Sequence, residues 1–120
     1  MNIDERKQVM ILHGNTKQGA EVYFREDWQC HYFSLLGKCF GMMNNEVITL
    51  KGNPDENEML RITYQDVVPG YYANKTHWNS IYLHTTELSS DEIKHFIDLS
   101  YALVYQKLTK KEKATITESE

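Results

Sequence analysis

The sequence predicts a two-layer α+β domain, αβ(3)αβ(2)α, with a five-stranded antiparallel sheet and helices on one face. Three observations carry this. Two capped helical segments bracket the second half, with starts at Asn53-Pro54 and Ser89-Ser90. Between Trp28 and Lys51 the apolar period is two, interrupted by turn residues. At 120 residues the chain makes one domain with enough buried surface for a core without cross-links.

Residues 4–17 read as a first helix, capped by Asp4 and stopped by Gly19, with Val9-Met10-Ile11-Leu12 as its apolar signal. Residues 29–36, 38–43 and 46–51 read as three antiparallel strands joined at Leu36-Gly37 and Asn44-Asn45, the latter suited to positive φ. A second helix starts at Asn53 as cap, with Pro54 first in the helix and Glu56 able to reach back to the cap. Residues 67–72 are a short extended piece, and Pro69 confines it to a sheet edge. Residues 77–83 form a better strand, with Asn79, Ile81 and Leu83 on one face and Trp78, Ser80 and Tyr82 on the other. The last helix, 90–108, opens with a Ser89/Glu92 capping box and a Leu88/Ile93 staple. Its apolar stripe is Ile93, Phe96, Ile97, Tyr101, Val104 and Leu108. Residues 1–111 therefore make the domain, and 112–120 read as a polar tail.

Composition narrows the function. The net charge of −4 excludes a strongly basic nucleic-acid binder, though not a local basic patch. No apolar run is long enough to span a bilayer, and the first residues lack a signal-peptide pattern, so a cytoplasmic location without membrane contact is expected. Cys30 and Cys39 should share one sheet face, about 13 Å apart, too far for a disulfide. A two-residue turn at Leu36-Gly37 sets Ser34 opposite Cys39 and Cys30 opposite Met43. No phosphate loop, nucleophile elbow or metal-ligand spacing is present, so no catalytic residue, metal or cofactor is expected.

The segment from Pro69 to Asn79 is chemically different. It concentrates aromatics, amides, Lys75 and His77 in a turn between extended pieces. Such a mix suits a polar ligand, a peptide backbone or nucleic acid. The plainer reading is that Trp78 packs and Asn74 closes the turn through an Asx bond.

Pro69-Gly70-Tyr71, Asn74-Lys75 and His77-Trp78-Asn79 also resemble the signature of the MmcQ/YjbR-like family. Leu50-Lys51 before Asn53-Pro54-Asp55 is similar to its entry into the middle helix, and Gly37-Lys38 with Phe40 to its hairpin. Ser100-Tyr101 with Leu103-Val104 is similar to its last helix. The resemblance covers residues 19–111; Tyr23-Phe24 stands where the family has a Pro-Phe pair. It implies an αβ(3)αβ(2)α, CyaY-like fold related to secretion chaperones, a DNA-binding label and no catalytic residues.

On this reading Lys51, Tyr71, Asn74, Lys75, His77, Trp78 and Asn79 form a surface for nucleic acid or another ligand, with hairpin tips alongside. Residues 66–120 contain no Arg, so DNA binding would be non-specific, weak and salt-dependent. The alternatives are a protein- or peptide-binding or dimerising module using the open sheet face, and a small-molecule site at the signature loop. The chain would be a monomer or a dimer.

Overall fold

The computed structural model describes residues 2–70 and 73–118. Its elements are α1 (Ile3–Asn15), β1 (Ala20–Arg25), β2 (Cys30–Leu35), β3 (Lys38–Met43), β4 (Val47–Lys51), α2 (Pro54–Thr63), β5 (Val67–Pro69), β6 (Trp78–Tyr82), α3 (Ser90–Gln106) and α4 (Lys110–Glu118). The strands form one antiparallel sheet in the order β1-β2-β3-β4-β6-β5. The α+β class holds, but the sheet has six strands rather than five.

The additional strand, β1, is an edge strand whose Glu21, Tyr23 and Phe24 are exposed, so its sequence lacks a clean buried alternation. The additional helix, α4, occupies the stretch expected as a polar tail. Thr109 and Glu112 form a reciprocal cap at its start, and Ile116 is buried against Gly19 and Leu35. That cap was readable as Thr-x-x-Glu; one apolar residue was too little for a periodic signal.

Alternation along the strands sorts the side chains into two faces. Val22, Phe33, Leu35, Met43, Ile48, Leu50, Val67 and Ile81 join the core with Met10, Ile93, Ile97, Val104 and Leu108 from the helices. On the opposite face lie Tyr23, Cys30, Tyr32, Ser34, Cys39, Met42, Val47, Thr49, Lys51, Val68, Trp78, Ser80 and Tyr82, as the register requires. None of these belongs to the helix-packed core. The second face is bare of helices among the described residues.

Glycine permits the closest approach of the two layers. A Cβ on Gly14 of α1 would stand 2.6 Å from Val22 and 2.7 Å from Phe33. Asn2, not Asp4, caps α1: its Oδ1 accepts the Glu5 N–H at 2.7 Å, two residues earlier than the sequence suggested. Asn53 is the N-cap of α2 but makes no side-chain capping bond. The Ser89/Glu92 box is formed, and Leu88 and Ile93 are buried.

The β2–β3 turn is as expected, with φ of +50° at Leu36 and +83° at Gly37. A bulge at Phe40 changes the register beyond it. Ser34 faces Cys39, but His31, not Cys30, faces Met43. The extra residue also turns Phe40 into the core, edge-on to Phe33 and Tyr101. Both cysteines are free. At the β3–β4 turn neither Asn has positive φ; instead Asn44 Oδ1 accepts the N–H groups of Glu46 and Val47 at 2.7 and 2.8 Å, and the strand starts one residue late.

Candidate functional site

The sheet brings Lys51 and Trp78 opposite one another on the bare face, at the last residue of β4 and the first of β6. The same end of the sheet holds the β2–β3 turn, the loop before β6 and the C-terminus of α3. The β3–β4 turn lies at the far end, so only one hairpin tip stands beside the signature loop.

Lys51 is anchored through its backbone. Its N–H donates to Ser100 Oγ at 2.9 Å, and that hydroxyl donates to the Phe40 carbonyl at 2.5 Å. This bond fastens the middle of α3 to the strand end, and two turns further on the Lys107 ammonium, at the helix C-cap, stands beside that of Lys51. Burial, and then the Lys107 charge, push the Lys51 ammonium below its ordinary pKa. Among the described residues neither lysine forms an ion pair with a carboxylate.

The loop is built by Asn74. Its Oδ1 accepts the N–H groups of Thr76 and His77 at 2.9 and 3.2 Å, and its carbonyl accepts that of Trp78 at 3.0 Å. Lys75 and His77 are left exposed. The Lys75 ammonium reaches the Gly70 carbonyl at 3.3 Å. Gly70 is required where it stands, because a Cβ there would meet Trp78 Cβ at 2.8 Å. Tyr71 lies outside the described residues.

Asn79 faces the other way. It is 5% exposed under α2, accepts from Arg61 at 2.7 Å and donates to the Asn57 carbonyl at 3.1 Å. Asn57 in turn donates to the carbonyls of Gly52 and Thr76 at 3.3 and 3.2 Å. This buried network holds α2, β6 and the loop together, so Asn79 positions the surface rather than lining it. Arg61 and Asn57 belong to it and were missed by sequence reasoning, as was Lys107's meeting with Lys51. Each depends on contacts between distant parts of the chain.

Apart from Glu21 and Arg25 on the edge strand β1, the rest of the bare face is neutral. Across β2, β3, β4, β6 and β5 it presents no Asp or Glu. Burial keeps both thiols protonated, pushing Cys30 and Cys39 up, and it pushes the Tyr32 phenol up to about 12. A cavity of about 450 Å³ opens on this face between Trp28, Cys30, Met42, Val47 and Thr49. A smaller one of about 200 Å³ lies between α2 and α3; of the signature residues only Lys51 and Asn79 line it. Among the described residues no cluster of His, Cys, Asp and Glu could hold a metal ion, and no helix is long and apolar enough to cross a membrane.

The YjbR family model matches residues 16–103. The chain belongs to the YjbR family. It is 30% identical over 96 residues to the uncharacterised protein YjbR of Escherichia coli K12, covering 77% of this chain and 80% of that one. It is 32% identical over 89 residues to the uncharacterised YbdF of Escherichia coli O157:H7, covering 70% and 71%. Among solved structures, Deinococcus radiodurans DR2400, described as a DUF419 domain, superposes with a TM-score of 0.77 at 24% identity over 97% of this chain and 88% of that one. A Pseudomonas syringae protein superposes at 0.68 with 23% identity, over 86% and 98%. In YjbR terms, the signature is partly scaffold (Gly70, Asn74, Asn79) and partly exposed surface (Lys75, His77).

Proposed function

We propose that this YjbR-family chain binds nucleic acid weakly and without sequence specificity, through the end of the sheet that carries the signature loop. The observation supporting this reading is the collection of Lys51, Lys107, Lys75 and His77 around Trp78 on one side, with the first two lysines lacking carboxylate partners. Phosphate contacts come mainly from such cations. Asp55 and Glu56 open α2 nearby and keep the local charge modest, which accords with weak binding.

Fluorescence anisotropy of a labelled oligonucleotide over a range of salt tests the reading. Affinity should fall steeply with salt, and Lys75→Ala should weaken binding to all sequences while reducing the salt slope by about one unit. No binding at low salt, or binding indifferent to salt and to Lys75→Ala, would overturn it.

A further inference from the structure

The bare face of the sheet offers more than an end-on patch of cations. Trp78 stands across from Lys51 at one side. At the other, Tyr32 packs with Tyr23 and Trp28 at centroid distances of 5.7 and 5.9 Å, and the Arg25 guanidinium lies 3.9 Å above Trp28. Trp28 is 54% exposed. Between these aromatic groups the floor is Met42, then Thr49 and Ser80, joined hydroxyl to hydroxyl at 2.6 Å, with Ser34 and Cys39 in the next row. The cavity beside Trp28 has no charged residue in its lining.

From this we infer that the face is a platform for single-stranded nucleic acid, with bases stacked on Trp78 and on the Trp28/Tyr32 cluster and a phosphate between Lys51 and Lys107. The inference rests on the nucleic-acid reading and sharpens it. Stacking on aromatic side chains needs an exposed base face, which a duplex keeps inside its own stack and a single strand presents freely. Trp78 and Tyr32 are three strand spacings apart across the sheet, roughly 14 Å, and two residues apart along it, roughly 7 Å, so different bases of one strand reach them. Charge favours this occupant: no Asp or Glu lies on the face from β2 to β5, and the unpaired Lys51 and Lys107 close one end. Glu21, on β1, and Asp27, already paired with Arg25 at 2.8 Å, are the acids at the opposite border.

The experiment compares a labelled single-stranded oligothymidine with a duplex of equal length, using the full chain at low salt. The single strand should bind about tenfold more tightly and quench tryptophan fluorescence. Trp78→Ala and Trp28→Ala should each weaken single-strand binding by about tenfold, and Trp28→Ala, which lies away from the cation cluster, should leave duplex binding unchanged. Trp28 is exposed, so its variant remains informative if Trp78→Ala fails to fold, and Trp78→Phe should retain most of the affinity. Equal or tighter duplex binding, insensitive to both tryptophans, overturns this inference and leaves the nucleic-acid reading standing. No binding to either probe defeats both. Sedimentation of the free chain is the second arm: a dimer that Trp28→Ala dissociates would make a second copy the occupant and overturn the platform, whereas a monomer unchanged by the substitution supports it.

Discussion

The two faces of the sheet are made by the same strands and differ in almost every other respect. On the helix side Phe33, Leu35, Phe40, Met43 and Ile48 are fully buried, and the apolar stripes of α1 and α3 complete the layer. On the other side Tyr23 and Trp28 are exposed at 39% and 54%, and hydroxyls and thiols fill the middle. The covered face shows what folding requires, since burial of apolar area is its main driving force. The bare face keeps large aromatics where they contribute least to stability. That expense of apolar surface to water is intelligible if something else uses it.

The largest effect should come from the covered face. Phe40→Ala should cost about 3–5 kcal/mol in urea unfolding, because it opens a cavity between Phe33 and Tyr101. A loss below about 1 kcal/mol would mean that the bulge does not seat Phe40 in the core. Next comes the polar network under α2. Asn79→Ala removes the Arg61 guanidinium's side-chain acceptor, leaving it the Lys75 carbonyl, and the side-chain donor to the Asn57 carbonyl, and should cost about 1–3 kcal/mol. It should also loosen the signature loop, seen as faster amide exchange at Thr76 and His77.

On the bare face, Trp28→Ala should change stability by no more than about 1 kcal/mol, despite the size of the side chain. A larger loss would erase the contrast between the faces and make the aromatic cluster a second core.

The smallest effect lies at the rim, where α4 docks. The Thr109 backbone N–H first, and then Lys38, hold Glu112 at about 2 against an ordinary 4.5. A lowered carboxylate stabilises the fold above its unfolded pKa and ceases to do so as pH falls through its folded one. The difference in urea midpoint between the natural chain and Glu112→Gln should therefore be steady above about 4.5 and shrink toward pH of about 2. A difference that grows on acidification would sink this account of how α4 is held.

Most of the covered face is legible in the sequence because period, capping and staple all point one way. Ile93, Ile97 and Val104 recur at helical spacing, and Ser89 with Glu92 marks the start. β1 and α4 are not legible in the same way. One is an exposed edge strand, the other a lysine-rich helix with a single buried Ile116. The bulge at Phe40 escapes as well, since one extra residue in a hairpin leaves no mark in composition. In the candidate site, Lys75 and His77 are exposed as their polarity suggests, and Asn74 makes the Asx turn that its position invites. The inward turn of Asn79 is implied by alternation with Trp78, but its partners Arg61 and Asn57 lie on another helix and could not be read from spacing.

Arg6 in the first helix adds a constraint in time. Its guanidinium donates to the carbonyls of Leu83 and Thr85 at 2.9 Å each and its Nε to Ser90 Oγ at 3.2 Å, partners 77, 79 and 84 residues further along the chain. During synthesis from the N-terminus, α1 emerges long before the loop that satisfies Arg6 exists. Its hydrogen bonds must wait for residues 83–90, and His13 and Lys17 wait longer still for Asp98. Such distant closures make for slow folding. Until the last third of the chain has left the ribosome, Met10 and the first strands lack the cover of α3.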